Sequence, residues 1–126
     1  MVSLPLPNAA THSAKLQLRY EGSYIRVGVI AESRKDEGYS TGYDHLQTLT
    51  YFTDPNYKGG VGCIEMDKKT IVDWKKELMV PEGGFLLIEA NIDQQTVTFV
   101  NLANNHSEVV ELKDSSLRNQ PLRFYA

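Results

Sequence analysis

The chain has one cysteine, Cys63, so no intrachain disulfide can form and the fold must be held by its apolar core. At 126 residues a single domain can bury such a core without covalent staples. One thiol fits a reducing compartment, so a cytoplasmic setting is expected. Basic residues are also in short supply: 13 Lys and Arg stand against 16 Asp and Glu, for a formal net charge of -3. Nucleic-acid affinity comes largely from neutralising phosphates, so a nucleic-acid partner is set aside. No run approaches the roughly 20 apolar residues of a membrane-spanning helix. The opening "MVSLPLPNAATHSAK" lacks the basic stretch and apolar run of a secretory signal. No membrane partner is expected, and the sequon Asn105-His106-Ser107 is read as idle without secretion.

Catalytic and metal-binding patterns are equally sparse. The three histidines, His12, His45 and His106, are far apart, and no HExxH, CxxC or EF-hand spacing occurs. No cofactor is expected. "GYSTG", Gly38 to Gly42, satisfies the G-x-S-x-G pattern with Ser40 at the nucleophile position. That chemistry needs a strand, a sharp turn and a helix, whereas Ser40 follows the charged "ESRKDE" and precedes no helical pattern. Asp54 and His106 follow in the right order, which alone carries little. Glu65 and Asp67 share a strand parity, as do Glu89 and Asp93, but nothing brings two carboxylates together for acid–base work. "KGGVG" lacks the Lys-Ser or Lys-Thr pair of a phosphate loop. The chain reads as a non-enzyme.

What the sequence has is alternation. Residues 1–14 are small, polar and broken by Pro5 and Pro7, which suits an extended arm; one domain is expected over 15–126. In "KLQLRY", Leu16, Leu18 and Tyr20 alternate with polar neighbours, and in "YIRVGVIA" Ile25, Val27, Val29 and Ala31 share a face. The intervening "EGS" predicts a β-hairpin. Residues 32–60 form a long polar, Gly-rich loop whose middle, "LQTLTYF", predicts a short strand with Leu49, Tyr51 and Thr53 on one face. "VGCIEM" predicts the next strand, with "DKK" turning it back. "TIVDWKKELMV" fits helical and strand spacing, and strand is preferred. "FLLIEANI", "TVTFVNL", "EVVEL" and "PLRFYA" complete the series, separated by the turns "DQQ" and "NNHS". Short strands between turn signals, without a long helix, predict an all-β, two-sheet antiparallel sandwich.

"YEGSYIRVGVIAES" resembles the early strand of SPRY domains, which ends in a "VGV"-type signature and leads into a long variable loop. "GGFLLIEANIDQQTVTFVNL" is similar to that family's later signature, with Gly84, Ile88, Asp93, Thr96, Val97, Thr98 and Phe99 in the matching positions. The closing "PLRFYA" resembles the terminal strand without its proline, and "FVNLANN" lacks the usual Asn-Gly hairpin. The resemblance implies a concanavalin-like sandwich and a recognition adaptor that binds a protein or peptide through loops at one end. Residues 34–45 and the "NNHS" turn are then the candidate surface, with Arg34, Tyr39, Tyr43, Asp44, His45, Tyr57, Asn105 and His106 as ligand-binding residues. Tyrosines beside Gly, Asp and Asn suit a recognition surface, because Tyr gives large, rigid contact area. Tyr51, Phe52 and Trp74 are expected to pack in the core. A glycan-binding module is the alternative, with Tyr43, Asp44, His45 and Asn105 forming a sugar platform. A self-assembling subunit joined by an exposed sheet edge is the third reading.

Overall fold

A computed structural model of the chain describes residues 3–5, 11–32 and 47–126. Among them are strands β1 (Ser3–Pro5), β2 (Thr11–Gln17), β3 (Ile25–Ala31), β4 (Thr48–Asp54), β5 (Val61–Met66), β6 (Lys69–Lys75), β7 (Phe85–Asn91), β8 (Thr96–Asn101), β9 (His106–Glu111) and β10 (Leu122–Tyr125), with a one-turn 3-10 helix at Lys76–Leu78 after β6. The strands form a six-stranded sheet in the order β1-β10-β3-β4-β5-β6 and a four-stranded sheet in the order β2-β7-β8-β9. Every neighbouring pair is antiparallel. This is the all-β sandwich that the alternation predicts. No described helix is long and apolar enough to cross a membrane.

Alternate side chains of each strand build the core. Val27, Val29 and Ala31 of β3, Leu49 and Tyr51 of β4 and Ile64 of β5 meet Leu86, Ile88 and Ala90 of β7, Val97 and Phe99 of β8 and Val110 of β9. The rings of Tyr51 and Phe99 lie 5.2 Å apart across the two sheets. Full burial stabilises each Leu, Ile, Val or Phe by roughly 1.5–3 kcal/mol, which is why the fold needs no disulfide.

The six-stranded sheet is also covered in its middle on the face turned away from that core. Ile30, Thr48, Thr50, Cys63 and Tyr125 have the outward parity and are buried. A strand buried on both faces loses the simple alternation of apolar and polar residues. Threonine keeps β4 compatible with this environment, because Thr50 and Tyr125 satisfy each other's hydroxyls.

Three expectations are corrected. The "EGS" turn does not close a hairpin: β2 pairs with β7, whereas β3 pairs with β4 and β10 in the other sheet. Leu18 and Tyr20 point into the core beyond the end of β2, so the alternation runs past the strand. The first strand partner begins at Thr11 rather than Lys15, and Ser3–Pro5 form an edge strand on β10. Pro5 is tolerated there because an edge strand has one unpaired side. Finally, "TIVDWKKELMV" is strand only as far as Lys75 in β6, whose pairing with β5 shifts register twice, and Lys76–Leu78 form the 3-10 turn instead.

Candidate functional site

One end of the sandwich is closed by the crossover from β6 to β7, residues 76–84. Its carbonyls receive the polar tips of the core. Tyr51 donates its hydroxyl to Leu78 O at 2.5 Å, Tyr20 donates to Val80 O at 2.5 Å, and the Asn101 amide donates to Glu77 O and Met79 O at 3.1 and 3.0 Å. Tyr20 also takes a backbone bond to Glu82 Oε2 at 2.8 Å. These bonds satisfy groups that are costly to bury alone. They also fix the neighbouring loops: residues 18–24, 55–60 and 102–105 all reach this end. Asn56 Nδ2 donates to Gly22 O, tying two of the loops together, and Asn104 Nδ2 donates to Glu77 O.

On the outward face of the six-stranded sheet, at this same end, four aromatic rings form a continuous strip. Tyr24 precedes β3 and stacks on Phe52 of β4, with centroids 5.0 Å apart and planes at 26°. Phe52 meets Trp74 of β6 edge-on at 5.2 Å, and Trp74 meets Tyr57 of the β4–β5 loop at 4.9 Å. These are favourable aromatic geometries. Arg26 of β3 lies over both Tyr24 and Phe52, 5.4 and 4.8 Å from their centroids, and Lys58 lies 5.3 Å from Tyr57. Tyr24 and Tyr57 remain 51% and 40% exposed, which leaves ring area for a ligand, while Phe52 is buried beneath them.

Register produces this strip. Arg26 pairs with Phe52, and Phe52 pairs with Cys63, so these residues form one outward row. Beyond Cys63, the irregular stretch between the Gly62–Lys75 and Ile64–Val72 pairs contains Trp74. A bulge re-aims side chains in this way. Trp74 and Phe52 therefore do not join the main core as expected; they lie on its opposite face, whereas Tyr51 packs between the sheets.

Beside the strip, the two sheets are clasped at their open edges. Glu108 of β9 receives Lys75 Nζ of β6 and His106 Nε2, both at 2.6 Å. Partial burial raises the carboxyl's pKa, but hydrogen bonds and attraction from Lys75 and His106 outweigh it, and the net shift is downward. Elsewhere burial pushes the Tyr20 and Tyr51 hydroxyls up, and the Cys63 thiol up to about 12. A thiol so placed stays protonated at neutral pH and is a poor nucleophile.

Of the residues singled out in the sequence, Tyr57, Asn105 and His106 lie at this end. Asn105 is exposed with φ 60°, and His106 contributes to the clasp. Arg34, Tyr39, Tyr43, Asp44 and His45, and with them Ser40, lie outside the described residues. The residues flanking that stretch, Glu32 and Gln47, are at the opposite end: Glu32 pairs with Arg123, and Gln47 N donates to Asp67 Oδ1. Asp67 is spent on that bond and on Ser116. Glu89 pairs across to Ser13 and Thr98, away from Asp93 in its turn. Among the described residues no group of three His, Cys, Asp or Glu is placed to hold a metal.

Sequence reasoning missed Tyr24, Arg26, Phe52 and Trp74 as surface partners. The shared parity of Tyr24 and Arg26 was visible, but the pairing that brings them to Phe52 and Trp74 was not. No family model and no curated protein matches this chain.

Proposed function

We propose that the chain is a non-catalytic recognition module that binds a protein or peptide partner through the aromatic strip at the closed end of the sandwich. The observation that carries this reading is Trp74 set between Phe52 and Tyr57, with Tyr24 and Arg26 completing the row. Trp, Tyr and Arg are the residues that dominate binding energy at protein interfaces. Here they are held by paired strands and mutual ring contacts, so little side-chain freedom is lost on binding. Two of the four rings, Tyr24 and Tyr57, come from loops, in keeping with the loop-end binding that the SPRY resemblance implies. A single buried thiol supports a cytoplasmic setting for this adaptor.

Selection from a random peptide library against the folded chain tests the reading. A selected peptide is expected to lose more than tenfold in affinity for the Tyr24→Ala/Tyr57→Ala variant, given about 2 kcal/mol or more for a typical hot-spot aromatic. Equal affinity for the variant contradicts the assignment. The exposed ring of Tyr24 beside Arg26 also favours, as a second reading, stacking against a sugar; a glycan array on the same two proteins separates the two.

A further inference from the structure

The four-stranded sheet ends at β9, and this edge is built differently from the other sheet ends. β1 has three residues and contains Pro5. β6 is irregular, with two register shifts, and carries Lys69 and Lys75 at its ends. β2 carries Lys15, whose ammonium lies over Phe85. Short length, proline, bulges and lysine are the devices that stop a strand edge from recruiting another strand. β9, "HSEVVE", has no proline, lysine or bulge, and its inward-facing carboxylate, Glu108, is already met by Lys75 and His106 of its own chain. It pairs with β8 over six residues without a shift, and among the described residues no backbone group of another strand meets its free side. At its centre stands Val109, 64% exposed, the most exposed large hydrophobic side chain among the described residues.

We propose that β9 is a self-association edge, at which two copies of this chain pair antiparallel about a two-fold axis through Val109. An isologous pair must be complementary to itself, and β9 meets this condition when centred on Val109. Centring on Val109 places Val109 against its own copy, Ser107 against Glu111, and Glu108 against Val110. The apolar side chain leaves water, and the Ser107 hydroxyl can donate to the carboxylate opposite. Shifting the centre to Glu108 would set two carboxylates face to face, which opposes pairing. In the Val109 register Glu108 is instead turned against an apolar residue, with its charge already met by Lys75 and His106 on its own chain. The two four-stranded sheets then continue as one eight-stranded sheet, and the aromatic strip on the other sheet is duplicated in a bivalent dimer.

Sedimentation velocity on the full chain, from micromolar to near-millimolar concentration, tests the pairing. The expected result is a concentration-dependent monomer–dimer equilibrium that Val109→Lys shifts to monomer with unchanged melting temperature. A short bismaleimide should join copies of Val109→Cys and fail to join Ser107→Cys, whose sites lie four residues apart across the axis. A monomer at every concentration, a dimer indifferent to Val109→Lys, or equal cross-linking of both cysteine variants would overturn the proposal. Monomer alone with β9 captured by an extended peptide of another protein is one such overturning outcome.

Discussion

The Tyr51 hydroxyl, carried on a core strand of one sheet, is bonded to the carbonyl of Leu78 in the crossover that leads to the other sheet. The ring is fully buried, so neither partner can turn to water instead. Tyr51→Phe keeps the packing but strands the Leu78 carbonyl. An unsatisfied buried acceptor costs about 1–3 kcal/mol. Urea unfolding should show a loss of that size, with a matching loss for Tyr20→Phe, which strands Val80 O.

Cys63 should behave as a packed apolar residue. Its burial and its raised pKa, about 12, leave almost no thiolate at neutral pH. In native buffer a disulfide reagent such as DTNB is expected to label it only through unfolding, at a rate that rises with urea as the unfolded fraction rises. Rapid stoichiometric labelling of the native chain would contradict the placement of β5.

Glu108 gives the clasp a pH dependence of defined sign. Its folded-state pKa lies below its ordinary value, so the stabilisation is present above that ordinary value, about 4.5, and is lost as pH falls through the folded value. Unfolding curves at pH 7 and pH 3 should therefore differ more for the parent than for Glu108→Gln. Equal acid sensitivity of the two proteins would mean that the carboxylate contributes nothing differential to folding.

Gly28 supplies a test of the six-stranded sheet. A Cβ at this position would lie 1.9 Å from the carbonyl oxygen of Leu49 on the neighbouring strand. Backbone cannot yield that much space, so Gly28→Ala is expected to cost more than about 4 kcal/mol, the range reserved for severe steric conflict. Loss of soluble folded protein, or a melting temperature lowered by well over ten degrees, is the expected outcome.

Strand identity was legible wherever one face was buried. Leu86, Ile88 and Ala90 against Leu87, Glu89 and Asn91 is a pattern that only the pleat of a strand explains. Sheet membership was not legible. "KLQLRY" and "YIRVGVIA" are separated by a turn that suits a hairpin, and nothing local reveals that their partners are β7 and β4. The site was hidden for the same reason. Phe52 looks like core because it adjoins Tyr51, yet the next residue along a strand faces the other way. Trp74 depends on an irregularity in β6 that periodicity does not encode. Tyr57 alone of the four rings was singled out in the sequence for a surface role, because Asn56 beside it and the glycines that follow mark a turn.

Trp74 is the sole tryptophan of the chain and sits inside the proposed recognition strip, so its fluorescence reports directly on the central claim. A library-selected peptide titrated into the native chain should produce a saturable shift in Trp74 emission, with the same midpoint as the heat of binding measured by calorimetry. The Tyr24→Ala/Tyr57→Ala variant should melt within a few degrees of the parent and lose the emission change together with the heat. Binding heat without any change at Trp74, or an undiminished response in the double variant, would contradict the assignment of recognition to this face.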